Sequence, residues 1–429
     1  MALVFAAGAL GFALMAKTPH AAQERPNGAG NFRVEERRGI WWLIDPAGKP
    51  MISAGVDQIA YEPDHIQGTG PAPYLEAVRK IYPDRKAWDL GALDRLRMWG
   101  FNTIGAWSDD ELWNFGVPYT VILDIATRSG ADWQHGKVAD FFDGRFERTA
   151  ANVAGLACRP HSHDPQLIGY FSDNELRWGA DWRGKEDILQ MYLAFPEGAP
   201  GRKRAIDFLR ERYGNDLAKL NQAWGTSAPD FGHLRADSTT EAFKRDSDAF
   251  LELVAARYFD VCARAIHKAD PNHLYLGARF AGHVPDEVIR GARGADVVSV
   301  NIYSFHPRPL VEHIYQVTEK PVLITEFAFR AEDSGLPNTQ GAGPKVPNQP
   351  ARAKAYRDYV IELASLPEAV GYHWFKWADE PKEGRFDGEN SNYGLVNIED
   401  QPYSEFVEAV KSANAAALAA HERSIPSRP

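Results

Sequence analysis

Cysteine is nearly absent. Cys158 and Cys262 are the only two in 429 residues. Both fall in helix-like segments, so no disulfide framework can be read from them, and two free, buried thiols are expected. Long apolar runs are missing beyond the N-terminus: no stretch after residue 16 reaches ~18 residues without charge, which excludes a spanning helix there. Basic excess is also missing. The 48 Lys and Arg face 58 Asp and Glu, a net charge of -10, which argues against nucleic acid or an anionic membrane as partner. The first core strand leads into Gly55-Val56-Asp57-Gln58-Ile59-Ala60-Tyr61, which is not the glycine-rich phosphate turn of a doubly wound nucleotide-binding sheet. There is no internal repeat and no low-complexity linker.

What is present begins with a short apolar segment, Ala2 to Ala16, followed by Ala21-Ala22 and the polar Gln23-Glu24-Arg25. It is too short to span a bilayer and reads as an export signal over residues 1–22, placing the mature protein in the periplasm or the medium. Residues 30–422 then read as one large domain. Phe32–Glu35 and Ile40–Asp45 flank Arg37-Arg38-Gly39 as a β-hairpin. Eight strand candidates follow: Met51–Val56, Phe101–Ala106, Tyr119–Ile125, Leu167–Phe171, Leu274–Ala278, Asp296–Ile302, Val322–Thr325 and Val370–Phe375. Helical patterns alternate with them, among them Asp89–Trp99, Phe250–Lys268, Pro350–Leu366 and Pro402–Ala419. Such alternation predicts an α/β fold, a (β/α)8 TIM barrel. The connection between strands four and five is oversized and reads as a helical insertion over about 177–272. Gly335 to Gln349 reads as a mobile loop after strand seven.

Two strings carry the chemistry. Leu167-Ile168-Gly169-Tyr170-Phe171-Ser172-Asp173-Asn174-Glu175 and Pro321-Val322-Leu323-Ile324-Thr325-Glu326 are apolar runs that each end in a glutamate. A buried strand does not tolerate an unpaired carboxylate. The C-terminal tip of a barrel strand is where such barrels do chemistry. Two such carboxylates on different strands fit hydrolysis of a sugar bond, with Glu175 as acid/base and Glu326 as nucleophile in a retaining mechanism. The amide of Asn174 is placed to bind a sugar hydroxyl. Asp57, at the end of strand one, either binds a sugar hydroxyl or caps backbone. Asp173 reads as buried and structural. The polar run Glu383–Asn390 follows strand eight, so Glu389 is a candidate subsite contact. His161-Ser162-His163-Asp164 has a spacing that can hold a divalent ion on an extended segment, but a polar loop explains it equally, and neither metal nor other cofactor is required.

At this point the chain resembles the clan A glycoside hydrolases, which carry Asn-Glu after strand four and a nucleophilic Glu after strand seven. The resemblance implies that Tyr303, in Asn301-Ile302-Tyr303, hydrogen-bonds the nucleophile. It also implies that Trp374, in His373-Trp374-Phe375-Lys376-Trp377, floors the reactive sugar's subsite. Arg279 then positions a catalytic carboxylate, and Trp377 and His373 join the substrate contacts. Gly169 to Gly179, Leu217 to Thr226 and Asp379-Glu380-Pro381 are similar to the agarase-type family 50, and more loosely to family 42 β-galactosidases. The likeness runs from about residue 32 to 415 and implies a retaining β-glycoside hydrolase of agarase or β-galactosidase type, with a carbohydrate as its partner. Bulky loops after strands four and seven favour exo action. Open alternatives are a β-glucanase on the same barrel, a catalytically inactive glycan-binding barrel and a metal-dependent hydrolase.

Overall fold

The computed structural model describes residues 30–235 and 238–425. The expected export signal lies outside them. The hairpin forms as Arg33–Arg37 against Ile40–Ile44, in register Arg37↔Ile40, with Pro50–Met51 as a third strand. Arg38 and Gly39 both take positive φ, 57° and 78°. That is the requirement of the two-residue turn that matches strand twist.

The central sheet is parallel and curled. Its strands are β1 (Ser53–Val56), β2 (Thr103–Ile104), β3 (Tyr119–Ile122), β4 (Leu167–Phe171), β5 in two pieces (Leu274–Tyr275 and Phe280–Ala281), β6 (Val298–Asn301), β7 (Val322–Phe327) and β8 (Ala369–Trp374). Counting the two pieces of β5, it has nine strands. The first piece pairs with β4, the second with β6, so the sheet's two edges are parts of one extended segment. Main-chain bonds bridge the interruption: Ser172 N donates to Gly277 O at 2.9 Å, and Glu175 N to Arg279 O at 2.8 Å. The result is a TIM-barrel-like α/β architecture.

The strands are apolar on both faces because both are buried. Ile168, Phe171, Leu274, Leu276, Val297, Leu323 and Val370 pack inside the curl together with Phe32 and Leu43 of the hairpin, which plug its N-terminal end. Leu167, Tyr170, Val298 and Ile324 pack outward against the helices. Gly169 is required where β4 meets β5, since a Cβ there would lie 2.2 Å from Leu274 O.

The alternation departs from the expected pattern in two places. Between β2 and β3 there is no α-helix, only a 3-10 segment, Asp110–Phe115. In the long connection, the helix Glu241–Ala269 packs on helices Gly144–Ala157 and Asp286–Gly291. It fills the ordinary place of a helix after β4, so only about 177–240 is additional. Those residues carry helices Ile188–Leu193, Pro200–Tyr213 and Leu217–Trp224. Cys158 and Cys262 are free and buried. Among the described residues no helix is long and apolar enough to cross a membrane.

Candidate active site

Glu175 and Glu326 stand on the same rim, at the C-terminal ends of β4 and β7. Glu175 sits four residues past β4 with φ 47°, a left-handed conformation that is uncommon outside glycine and often stored at functional sites. Both of its carboxylate oxygens are held. Trp133 Nε1 donates to Oε2 at 3.0 Å, and Asn301 Nδ2 donates to Oε1 at 3.0 Å. The register of β6 against β7 slips between Val300 and Asn301, pairing Asn301 with Glu326. A slip of this kind re-aims side chains, and here the Asn301 amide also reaches Asn174 Oδ1 at 3.2 Å.

Glu326 is 5% exposed. Tyr303 Oη donates to its Oε2 at 2.5 Å, and Arg279 Nη1 lies 3.1 Å from its Oε1. Burial pushes the Glu326 carboxyl up to about 8. The Arg279 charge and the Tyr303 hydrogen bond oppose that shift, while the negative charges of Glu175 and Asp57 add to it. Removing the carboxylate from water is the dominant effect.

Arg279 organises the floor. Its Nη2 donates to Asp57 Oδ2 at 2.5 Å and to Thr325 O at 2.6 Å, and Nη1 donates to Asn174 Oδ1 at 3.2 Å. The Trp107 ring lies 4.2 Å from the guanidinium carbon. Asp57 is fully buried, and its Oδ1 also accepts from Ala106 N at 3.0 Å. Asp57 therefore holds Arg279 and backbone, and no sugar hydroxyl reaches it. Gly105 is needed beside it: a Cβ would sit 2.1 Å from Asp57 Oδ1.

Three other expected contacts are corrected. Trp374 is 0% exposed, packed among Phe327, Tyr356 and Phe406, with its Nε1 donating to Tyr393 O at 2.9 Å. Trp377 is also 0% exposed, between Trp99 and Arg95, and donates to Tyr74 Oη at 2.9 Å. His373 points into the barrel interior, where its Nε2 meets Ser53 Oγ at 2.9 Å over the space left by Gly55. None of the three faces a substrate. A large side chain at a strand end looks the same in sequence whichever face it takes. Glu389 is half-buried, bound to Arg385 Nη2 at 2.7 Å. Asp173 is buried as expected, accepting from Tyr258 Oη at 2.6 Å and from Ala126 N. Burial raises its carboxyl to about 7.

The loop expected to be mobile, 335–349, is tied down. Asn390 Oδ1 accepts from Thr339 N and Gln340 N at 2.9 and 3.1 Å, and Tyr393 Oη donates to Ala342 O at 3.0 Å. Gly343 packs on the Tyr303 ring. His161 and Asp164 both contact Tyr119 Oη, at the end of β4 opposite Glu175. Among the described residues no group of three His, Cys, Asp or Glu could hold a metal ion.

Trp133, Asn301, Trp107 and Arg183 are site residues the sequence reading missed. Asn301 had a signal: an amide at a strand end beside two carboxylates. Trp133 and Arg183, whose Nη1 donates to Glu175 O at 2.8 Å, lie in loops without pattern.

No family model matches the chain. β-Agarase B of Vibrio sp. (strain JT0107) is 29% identical across 90% of this chain and 48% of its own length. A solved exo-β-agarase has a TM-score of 0.82 at 26% identity, covering 94% of this chain and 67% of that one. The structure of PfGH50B has a TM-score of 0.82 at 26% identity, covering 94% and 68%. This chain spans about half the length of the curated β-agarases it matches.

Proposed function

This chain belongs to the agarase-like glycoside hydrolase family 50, and on that premise we propose that it is a retaining, exo-acting β-glycoside hydrolase of an agarose-type galactan. The observation that carries the reading is the pair of rim glutamates, each with its own dedicated donors. In the first step Glu326 attacks the anomeric carbon while Glu175 gives its proton to the departing glycosidic oxygen. In the second, Glu175 takes a proton from water, which attacks the same carbon and releases Glu326. Chemistry requires one proton on the pair, seated on Glu175 at the moment of attack. Arg279 and Tyr303 stabilise the ionised form of Glu326 that does the attacking. Asn301, bonded to both Glu175 and Asn174, holds the acid/base in place.

The 177–240 insertion and the 335–349 loop follow the two strands that carry these glutamates. Loops at this end of a barrel set substrate choice. Walls on both sides favour entry of a chain end over an internal stretch, hence exo action. Residues 1–22 carry the pattern of an export signal, and we place the mature enzyme outside the cytoplasm.

The roles are tested with agarose oligosaccharides and aryl β-galactosides. Glu326→Gln abolishes turnover of all of them. Glu175→Ala spares activated aryl glycosides and regains rate with azide. Equal loss on activated and unactivated substrates would remove the role given to Glu175.

A further inference from the structure

We propose that Trp182 is the platform that binds the leaving-group sugar, a specificity residue resting on the retaining-hydrolase reading above. An indole that stays 65% exposed is uncommon unless the surface is used. This one is also held still. The Arg183 guanidinium lies 4.2 Å from the centre of its ring, and the Arg183 side chain is only 3% exposed.

Arg183 has no freedom to turn. Its Nε and Nη2 donate to Asp181 Oδ2 at 3.0 and 2.6 Å. Its Nη1 donates to Trp133 O at 3.0 Å and Glu175 O at 2.8 Å. Asp181 and Gly184 close the turn that carries Trp182, with main-chain bonds of 2.9 and 3.3 Å. Gly136 allows the close approach, since a Cβ there would lie 2.7 Å from Arg183 Cβ.

One guanidinium therefore joins the main chain of the acid/base residue to one face of an exposed indole. It occupies that face by cation–π contact and leaves the other open. Glu175 protonates the oxygen of the departing sugar, so that sugar lies on the Glu175 side of the cleft. The Trp133 indole, whose N–H reaches Glu175 Oε2, marks the near edge of the same surface. A pyranose presents an apolar C–H face of a size that an indole covers, and a platform already rigid loses little entropy on binding. The ligand is thus a neutral sugar ring on the leaving-group side.

The test uses agarotetraose, with cellotetraose and β-1,4-galactotetraose in parallel, titrated calorimetrically into Glu326→Gln and into Glu326→Gln/Trp182→Ala. Binding weaker by about tenfold in the double variant is expected, the effect of ~1.4 kcal/mol of stacking, with Trp182→Phe restoring most of it. In steady state, Trp182→Ala lowers kcat/KM more for oligosaccharides than for aryl glycosides, whose leaving group is no sugar. Equal affinities with and without Trp182 would overturn the platform and leave the hydrolase reading standing. Failure of Glu326→Gln to bind any of the three sugars would overturn both.

Discussion

Glu326 is the residue on which most depends, because it is buried and, in the proposed mechanism, charged when it acts. Its folded-state proton affinity, near 8, lies above the ordinary 4.5. Between these values the folded protein binds more protons than the unfolded chain, so stability falls as pH rises through that window. Glu326→Gln removes the effect. Its melting temperature should exceed the parent's at pH 8 and above, and the gain should vanish as pH drops toward 4.5. A constant difference at all pH values would contradict this. The pair must also keep the one proton that Glu175 donates, so the kcat/KM of the free enzyme should fall as pH rises past about 8 and the buried pair loses it. Tyr303→Phe deletes one hydrogen bond to a charged group and should cost roughly 10–100-fold in kcat/KM. It should also move that alkaline limb to higher pH, because a donor that favours the carboxylate is gone.

The elements matter through the way their ends are shaped. The C-terminal end of β2 passes so close to Asp57 that only Gly105 fits. Gly105→Ala would push on Asp57 Oδ1 and on Val56 O, and should lower stability by about 1–3 kcal/mol. Activity should fall further than stability alone explains, because Asp57 holds Arg279 and Arg279 holds Glu326. Chemical denaturation and kcat, measured on the same preparation, separate the two losses. The loops after β7 and β8 are joined by Asn390, which accepts from Thr339 and Gln340. Asn390→Ala should loosen the wall beside Tyr303 and raise KM more than it lowers kcat. Unchanged KM on oligosaccharides would mean the wall does not touch substrate.

For the whole molecule the predictions concern product and place. Hydrolysis followed by proton NMR should show the retained anomer first. Time-resolved product analysis should show one short saccharide from the outset. A rapid fall in viscosity with a ladder of long fragments would mean an open groove. Protein recovered from the native host should begin near residues 22 to 24, and removal of residues 1–22 should leave activity unchanged.

The sequence by itself determined the parallel strand pattern and the two rim glutamates, while Tyr303 and Arg279 as their partners followed from the family resemblance. Apolar runs that end in a carboxylate admit few other readings, since burial without partners is too costly. The tertiary structure alone decided which way large side chains at strand ends turn. Trp374 and Trp377 went to the helix-facing core, while His373 and Asp57 went into the barrel interior. The strand slip at Asn301 and the loop path that brings Trp133 to Glu175 were equally invisible. Periodicity is a local property of the chain, whereas facing and register depend on which distant strand lies alongside.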